Sequence, residues 1–307
     1  MKIIVAGGTG LIGSALLKRL AGKNDVVILT RRAEEAHRQF EGAGFHILDW
    51  NQPKEQLVAA LDKSDALINL SGAGIADFRW TDKRKAALLK SRIEPIRKLT
   101  HLMREANLRI GMIIQASAIG FYGHHHEKLF TETDDQGNGY LAGLTAEWEA
   151  AAQSLKAFTN RLVLIRTGVV LSSDGGALKP MMLPFRFFLG GKIGSGRQWV
   201  SWIDIEDQIE AMLFLLKNNS TEGVYNLTAP QAVRQSELAF AIGKAMKRLS
   251  WIPVPAFALK LMLGQMADEM LLKGAAVKPD RLLQAGFQFQ SPDIHTALNH
   301  VIGYPKK

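Results

Sequence analysis

The sequence predicts an α/β fold in which a doubly wound parallel sheet carries a smaller mixed α/β lobe toward its carboxyl end. Three observations point there. Residues 2–20 read as an apolar strand that turns through glycines into an amphipathic helix. Apolar strand-like runs then alternate with helical stretches as far as residue 165. Beyond residue 170 proline, glycine and methionine become frequent and the alternation stops.

The first element is the buried-strand run Lys2-Ile3-Ile4-Val5-Ala6. Gly7-Gly8-Thr9-Gly10 follows, and then Leu11, Ile12, Ala15, Leu16, Leu17 and Leu20 recur at helical spacing until Gly22. In the pattern Gly-x-x-Gly-x-x-Gly, Gly7 permits a tight turn, Gly10 lets the main chain approach a pyrophosphate, and Gly13 lets helix and strand pack closely. Free N–H groups at the helix start favour phosphate, so Gly7, Thr9, Gly10, Leu11 and Ile12 are expected to grip a dinucleotide, and the sheet is expected to be Rossmann-type. The competing reading is an ordinary strand-to-helix turn.

Further strands are expected over residues 25–29, 45–48, 66–70, 110–116 and 162–165, with helices over about 82–106 and 145–158. In the second part, helices near 235–247 and 256–272 lack alternating partner strands apart from a run at 224–227. This suggests a dinucleotide-binding domain over 1–170, with a return segment at about 195–230, and a substrate lobe over 171–307. Ligands of such folds lie at the carboxyl ends of the strands.

Composition narrows the function. The 307 residues include no cysteine, which excludes disulfides, thiolate metal sites and a cysteine nucleophile. There is no signal-peptide pattern, and no apolar run approaches the roughly 18 residues of a membrane span, so a cytoplasmic protein without a membrane partner is expected. The formal net charge of +9 raises the question of nucleic acid, most of all at Arg79, Lys83, Arg84, Lys85, Lys90, Arg92, Arg97 and Lys98. A solvated helix face or an anionic small ligand explains that charge at least as well. A small-molecule partner is therefore expected, with a homodimer as a further possibility.

The second strand ends in Thr30-Arg31-Arg32, where an enzyme preferring the unphosphorylated cofactor would hold an acid. A guanidinium can grip a 2′-phosphate bidentately and Thr30 can add a hydroxyl, so NADP(H) is the expected cofactor. Two arginines that merely open an exposed loop are the alternative. Asp49, after the third strand, can accept from an adenine amino group or serve as a turn carboxylate.

The chain resembles the extended short-chain dehydrogenase/reductase superfamily of the NAD-dependent epimerase/dehydratase type. Within it, the closest likeness is to an atypical epimerase-like branch with a C-terminal domain of unknown function. Asn69-Leu70-Ser71-Gly72-Ala73, Ser91-Arg92-Ile93, Ser117-Ala118-Ile119-Gly120-Phe121-Tyr122-Gly123, Trp148-Glu149-Ala150-Ala151 and Arg166-Thr167-Gly168-Val169-Val170-Leu171 carry the likeness. It continues in Gly194-Ser195-Gly196-Arg197, Trp202-Ile203-Asp204 and the tail from Pro253-Val254-Pro255 to Ala285-Gly286-Phe287. The resemblance implies cofactor contacts from the glycine loop, from Thr30 and Arg31, from Leu70, Ser71 and Gly72, and from Val170. It also implies a cofactor-phosphate role for Arg92, with a surface ion pair as the alternative. Arg197 stands where sugar-nucleotide epimerases keep an arginine for a diphosphate, although pairing with Asp204 or Glu206 is equally open. Trp199 and Trp202 are expected either to line a substrate pocket or to sit in the core.

The superfamily's Tyr-x-x-x-Lys is missing. Aligned through Glu149, Leu141 and Thr145 stand in its place, and four residues after Tyr140 comes Leu144. A tyrosine without a neighbouring cation keeps a pKa near about 10 and is rarely ionised at neutral pH. Ser117 and Tyr122 are the substitute catalytic pair, against a purely local structural role, and Glu147 or Glu149 would act only if desolvated. His124-His125-His126 has no ligand-spaced acid or cysteine beside it, so no metal is expected. The expected activity is that of an NADP(H)-dependent oxidoreductase or epimerase acting on a small, anionic or sugar-like substrate. The alternative is an NADP(H)-binding sensor or assembly protein, and nucleic-acid binding is a remote third.

Overall fold

The computed structural model describes residues 1–303. Strands β1 (Lys2–Ala6), β2 (Asp25–Thr30), β3 (His46–Asp49), β4 (Ala66–Asn69) and β5 (Ile110–Ala118) alternate with helices α1 (Leu11–Leu20), α2 (Ala33–Gln39), α3 (Lys54–Leu61) and α4 (Asp82–Glu105). After the short β6 (Leu129–Phe130), α5 (Tyr140–Ala152) leads to β7 (Thr159–Thr167), and β8 (Val169–Leu171) and α6 (Leu178–Arg186) follow. The chain returns through β9 (Trp199–Val200), β10 (Trp202–Asp204), α7 (Ile205–Lys217) and β11 (Gly223–Leu227). It ends in β12 (Val233–Arg234), α8 (Gln235–Ala245), α9 (Ala256–Leu263), α10 (Gln265–Ala267), β13 (Ala276–Val277), α11 (Asp280–Gln284) and α12 (Ile294–Gly303).

Among the described residues, seven strands form one parallel sheet in the order β3-β2-β1-β4-β5-β7-β11. The chain order reverses between β1 and β4, which opens a crevice at their carboxyl ends where such sheets receive ligands. Strands buried on both faces need apolar residues in both directions, and Ile3, Ile4 and Val5 are fully buried. One face packs on α1 and α7 through Leu16, Leu17, Met212 and Leu215, the other on α3, α4 and α5 through Leu57, Ile96, Leu99 and Trp148. A separate core gathers Phe185, Trp202, Leu238, Ile242 and Leu298.

Two helices depart from the sequence reading. The helix expected over 145–158 starts at Tyr140 and gives way to a 3-10 segment after Ala152. The single helix expected over 256–272 is broken at Gly264, whose φ of +61° lies in the left-handed region.

Candidate functional site

A cleft of about 380 Å³ lies at the crevice between β1 and β4. Its walls include Gly7, Thr9 and Gly10 after β1, Thr30, Arg31 and Arg32 after β2, and Leu70, Ser71 and Gly72 after β4. Gly7 has a φ of +81°, and a Cβ there would stand 2.7 Å from the Leu70 carbonyl, so the turn admits no larger residue. A Cβ at Gly13 would stand 2.5 Å from the Gly7 oxygen, which is the close helix–loop packing expected of that position. Gly10 caps α1 without a side chain, so the first-turn amides of Leu11 and Ile12 have no internal partner. The buried Ser71 hydroxyl also has no partner among the described residues. An anionic, hydrogen-bonding ligand answers both features.

At the far end of the cleft, Thr30 Oγ1 accepts from the Arg32 amide at 3.1 Å and shapes the turn. Arg32 pairs with Glu35 at 2.8 Å, while Arg31 is exposed and has no ion-pair partner among the described residues. Asp49 does not line the cleft; its Oδ1 accepts from the Asn51 amide at 2.7 Å, the turn role. Trp50 and Asn51 line it instead. So do Ser91, Glu94, Pro95 and Lys98 of α4, which the sequence did not mark as cofactor contacts: Ser91 entered only with the family resemblance and Lys98 only with the basic helix. Their spacing of three or four residues places them on one helix face and was the available signal. The Lys98 ammonium bonds the Trp50 carbonyl and sits over its ring. Arg84, Lys85 and Lys90 of the same basic stretch pair with Asp77, Asp82 and Glu94.

Arg92 packs against Gly72 and over Trp148, 5.1 Å from the ring centroid, and donates to the carbonyls of Leu88 and Ala73. No carboxylate pairs with it among the described residues, so the surface ion pair is not formed. Burial pulls its pKa down to about 10. Val170 is buried in the core between the sheet and α7, outside the cleft lining.

Ser117 and Tyr122 are brought together, but in a sealed position. Tyr122 is 1% exposed; its hydroxyl donates to Asn226 Oδ1 at 2.7 Å and accepts from Arg166 Nη1 at 2.9 Å. Burial raises its pKa. Arg166 makes a two-bond pair with Glu149, each bond 2.8 Å, and Ser117 donates to the same carboxylate. The pair expected to exchange protons with a ligand is thus committed to a buried network joining β5, β7, β11 and α5. Trp202 is likewise a correction: it is fully buried in the C-terminal core, whereas Trp199 faces a pocket.

That second pocket, about 170 Å³, lies just past β5. Ile119, Leu141, Met181, Ile193, Trp199 and Met270 make most of its wall apolar, and His124, Asn138, Gln198, Glu269 and Lys273 add polar groups. Leu141 and Thr145 do occupy the inner face of α5, where a Cβ on Gly120 would touch both. The Glu269 carboxylate accepts from the amides of Tyr140 and Leu141 at 2.9 and 2.8 Å and so caps α5. Tyr140 turns away, its hydroxyl donating to the Lys85 carbonyl. Arg197 is exposed on its loop, outside both linings, and pairs with neither Asp204 nor Glu206; these engage His300 and Arg19. Among the described residues no cluster of His, Asp or Glu could hold a metal ion, and no helix is long and apolar enough to cross a membrane.

Comparison with known proteins agrees with this geometry. The profile of the NAD dependent epimerase/dehydratase family matches residues 3–228, and that of a domain of unknown function, DUF1731, matches residues 254–301. An epimerase family protein of Mycobacterium leprae is 36% identical over 99% of this chain and 97% of its own length. A chloroplastic epimerase family protein SDR39U1 homolog of Arabidopsis thaliana is 38% identical over 98% of this chain and 87% of its own. The crystal structure of human epimerase family protein SDR39U1 with NADPH superposes with a TM-score of 0.86 at 32% identity, covering 99% of both chains. The fold alone is shared with UDP-glucose 4-epimerase of Thermus thermophilus, at a TM-score of 0.75 and 18% identity over 99% of both chains.

Proposed function

Because the chain belongs to the NAD-dependent epimerase/dehydratase family, we propose that it is an NADP(H)-dependent oxidoreductase or epimerase-type enzyme acting on a small substrate held in the pocket past β5. The observation that carries the cofactor choice is Arg31, exposed and without an ion-pair partner among the described residues, on the cleft wall where an acid would repel a 2′-phosphate. The glycine turn and the α1 amides fit the pyrophosphate, Ser71 fits a hydroxyl or phosphate oxygen, and Arg92 offers a fixed charge beside Gly72. When bound, the nicotinamide supplies or accepts a hydride. The human relative seen with NADPH supports the same preference. A hydrogen bond to a charged group contributes about 1.5–3 kcal/mol. Arg31→Ala is therefore expected to weaken NADPH binding by roughly ten- to a hundredfold while leaving NADH binding unchanged. Titration calorimetry with both nucleotides checks this, and an unaltered preference overturns the assignment.

The pocket volume argues for a small substrate. About 170 Å³ is well below the roughly 300–1,000 Å³ of sites for drug-sized ligands, and a nucleoside diphosphate sugar is at least that large. With Tyr122 sealed away and Leu141 and Thr145 in place of the usual pair, proton exchange falls to His124 at the pocket rim. Partial burial, and after it Lys273, lower its pKa below the ordinary histidine value. It is thus a neutral base at physiological pH. In the direction that oxidises a hydroxyl, the rate is expected to rise with pH through a midpoint below about 6.5 and then level off. His124→Asn should remove that step from the pH–rate profile. A step that persists in the variant excludes the histidine.

Leu141 and Thr145 also favour a second reading, in which the fold retains NADP(H) without turning it over. NADPH binding with no absorbance loss at 340 nm across a broad panel of carbonyl compounds would support that reading.

A further inference from the structure

The C-terminal lobe exposes an apolar face that the cofactor and substrate sites leave unexplained. Helix α9, with sequence Ala-Phe-Ala-Leu-Lys-Leu-Met-Leu, is apolar at every position but Lys260, yet none of its residues is buried. Phe257 and Leu261 are 74% and 78% exposed. The segment after α6 adds Phe187, Phe188 and Leu189, and Trp251 follows α8; all of these are exposed. Hydrogen bonds join the two stretches into one surface. The amides of Trp251 and Ile252 donate to the Gly190 carbonyl at 3.0 and 3.1 Å, and Val254 donates to Lys192 at 2.8 Å. The Arg248 guanidinium lies 4.5 Å from the Phe188 ring centroid.

The charge on this surface is predominantly positive, although Lys260 of α9 is paired with Asp268 at 3.0 Å. Residues 175–203 carry four lysines or arginines and no acid, and residues 238–267 carry four more, again with no acid. All of these cations are exposed. Protein–protein interfaces are depleted in lysine, and two copies of one cationic face repel each other. Phenylalanine, leucine and tryptophan interleaved with lysine and arginine is instead the composition of surfaces that lie in the headgroup layer of a bilayer. We propose that this face docks the protein on the surface of a membrane containing anionic lipid. The sequence predicts no membrane partner on the ground that it holds no spanning segment, but interfacial docking requires none.

The test is co-sedimentation of the full chain with vesicles of phosphatidylcholine alone and with a one-third share of phosphatidylglycerol. Binding to the anionic vesicles, weakened by salt, is expected, with little binding to the neutral ones. Each basic residue near such a surface contributes about fivefold, so Lys244→Gln with Lys247→Gln should weaken binding by roughly 30-fold. Phe257→Ser with Leu261→Ser should abolish most of it. Both pairs are exposed, so NADPH affinity measured on the same preparations should stay at the parent value and report an intact fold. No binding to anionic vesicles overturns the proposal. So does binding that ignores the four substitutions, or a stable dimer in sedimentation velocity that Phe257→Ser with Leu261→Ser makes monomeric.

Discussion

Arg166→Ala is expected to destabilise the protein by about 3–5 kcal/mol, measured by chemical denaturation. Both members of the Arg166–Glu149 pair are nearly inaccessible, with side-chain exposures of 5% and 10%. Removing the guanidinium leaves a carboxylate held out of water with only the Ser117 hydroxyl for company, and takes from the Tyr122 oxygen its donor. The loss therefore exceeds that of one hydrogen bond, because the surviving charge bears its full desolvation penalty. Removing both charges is a different experiment. Glu149→Leu combined with Arg166→Met should recover most of the deficit, since an apolar pair of similar volume needs no compensation. A double variant no better than Arg166→Ala would show that the charges do more than balance each other.

Gly7→Ala is expected to remove both nucleotide binding and a large share of stability. The residue sits at φ +81°, which costs an L side chain about 1–2 kcal/mol. Its new Cβ would press at 2.7 Å on the Leu70 carbonyl, a main-chain group of the neighbouring strand end that cannot swing aside. Relief requires the turn to move outward, adding about 1–3 kcal/mol and displacing the amides that face the ligand. Calorimetry with NADPH should show affinity reduced by at least about a hundredfold, the larger part from lost geometry. Near-parental binding would mean that the phosphates do not lie on this turn.

The sheet was readable because its strands are continuous apolar runs with local signals at their ends. β1, β2 and β4 fall within a residue of the sequence reading. β7 begins three residues early because Thr159, Asn160 and Arg161 look polar in one dimension. In space, the Arg161 guanidinium bonds the carbonyls of Leu215, Leu216 and Asn218, so the polar start is satisfied by the end of α7. The cleft was legible for the same reason as the strands: its glycines and the Arg31 position act over a few residues. Lys98 and Trp50 were not, because their shared place depends on where α4 lies across the sheet. Tyr122 was misplaced through missing long-range information. Nothing near it in sequence reveals that Arg166 and Asn226, from neighbouring strands, close over its hydroxyl.

The carboxylate of Glu269 has a consequence for how the two matched regions share their fate. It belongs to the region matched by the C-terminal domain of unknown function, yet it caps the start of α5 within the epimerase-family match and forms part of the wall of the pocket past β5. Severing the chain ahead of residue 254 would thus leave a fragment with a frayed helix entrance and a breached chamber.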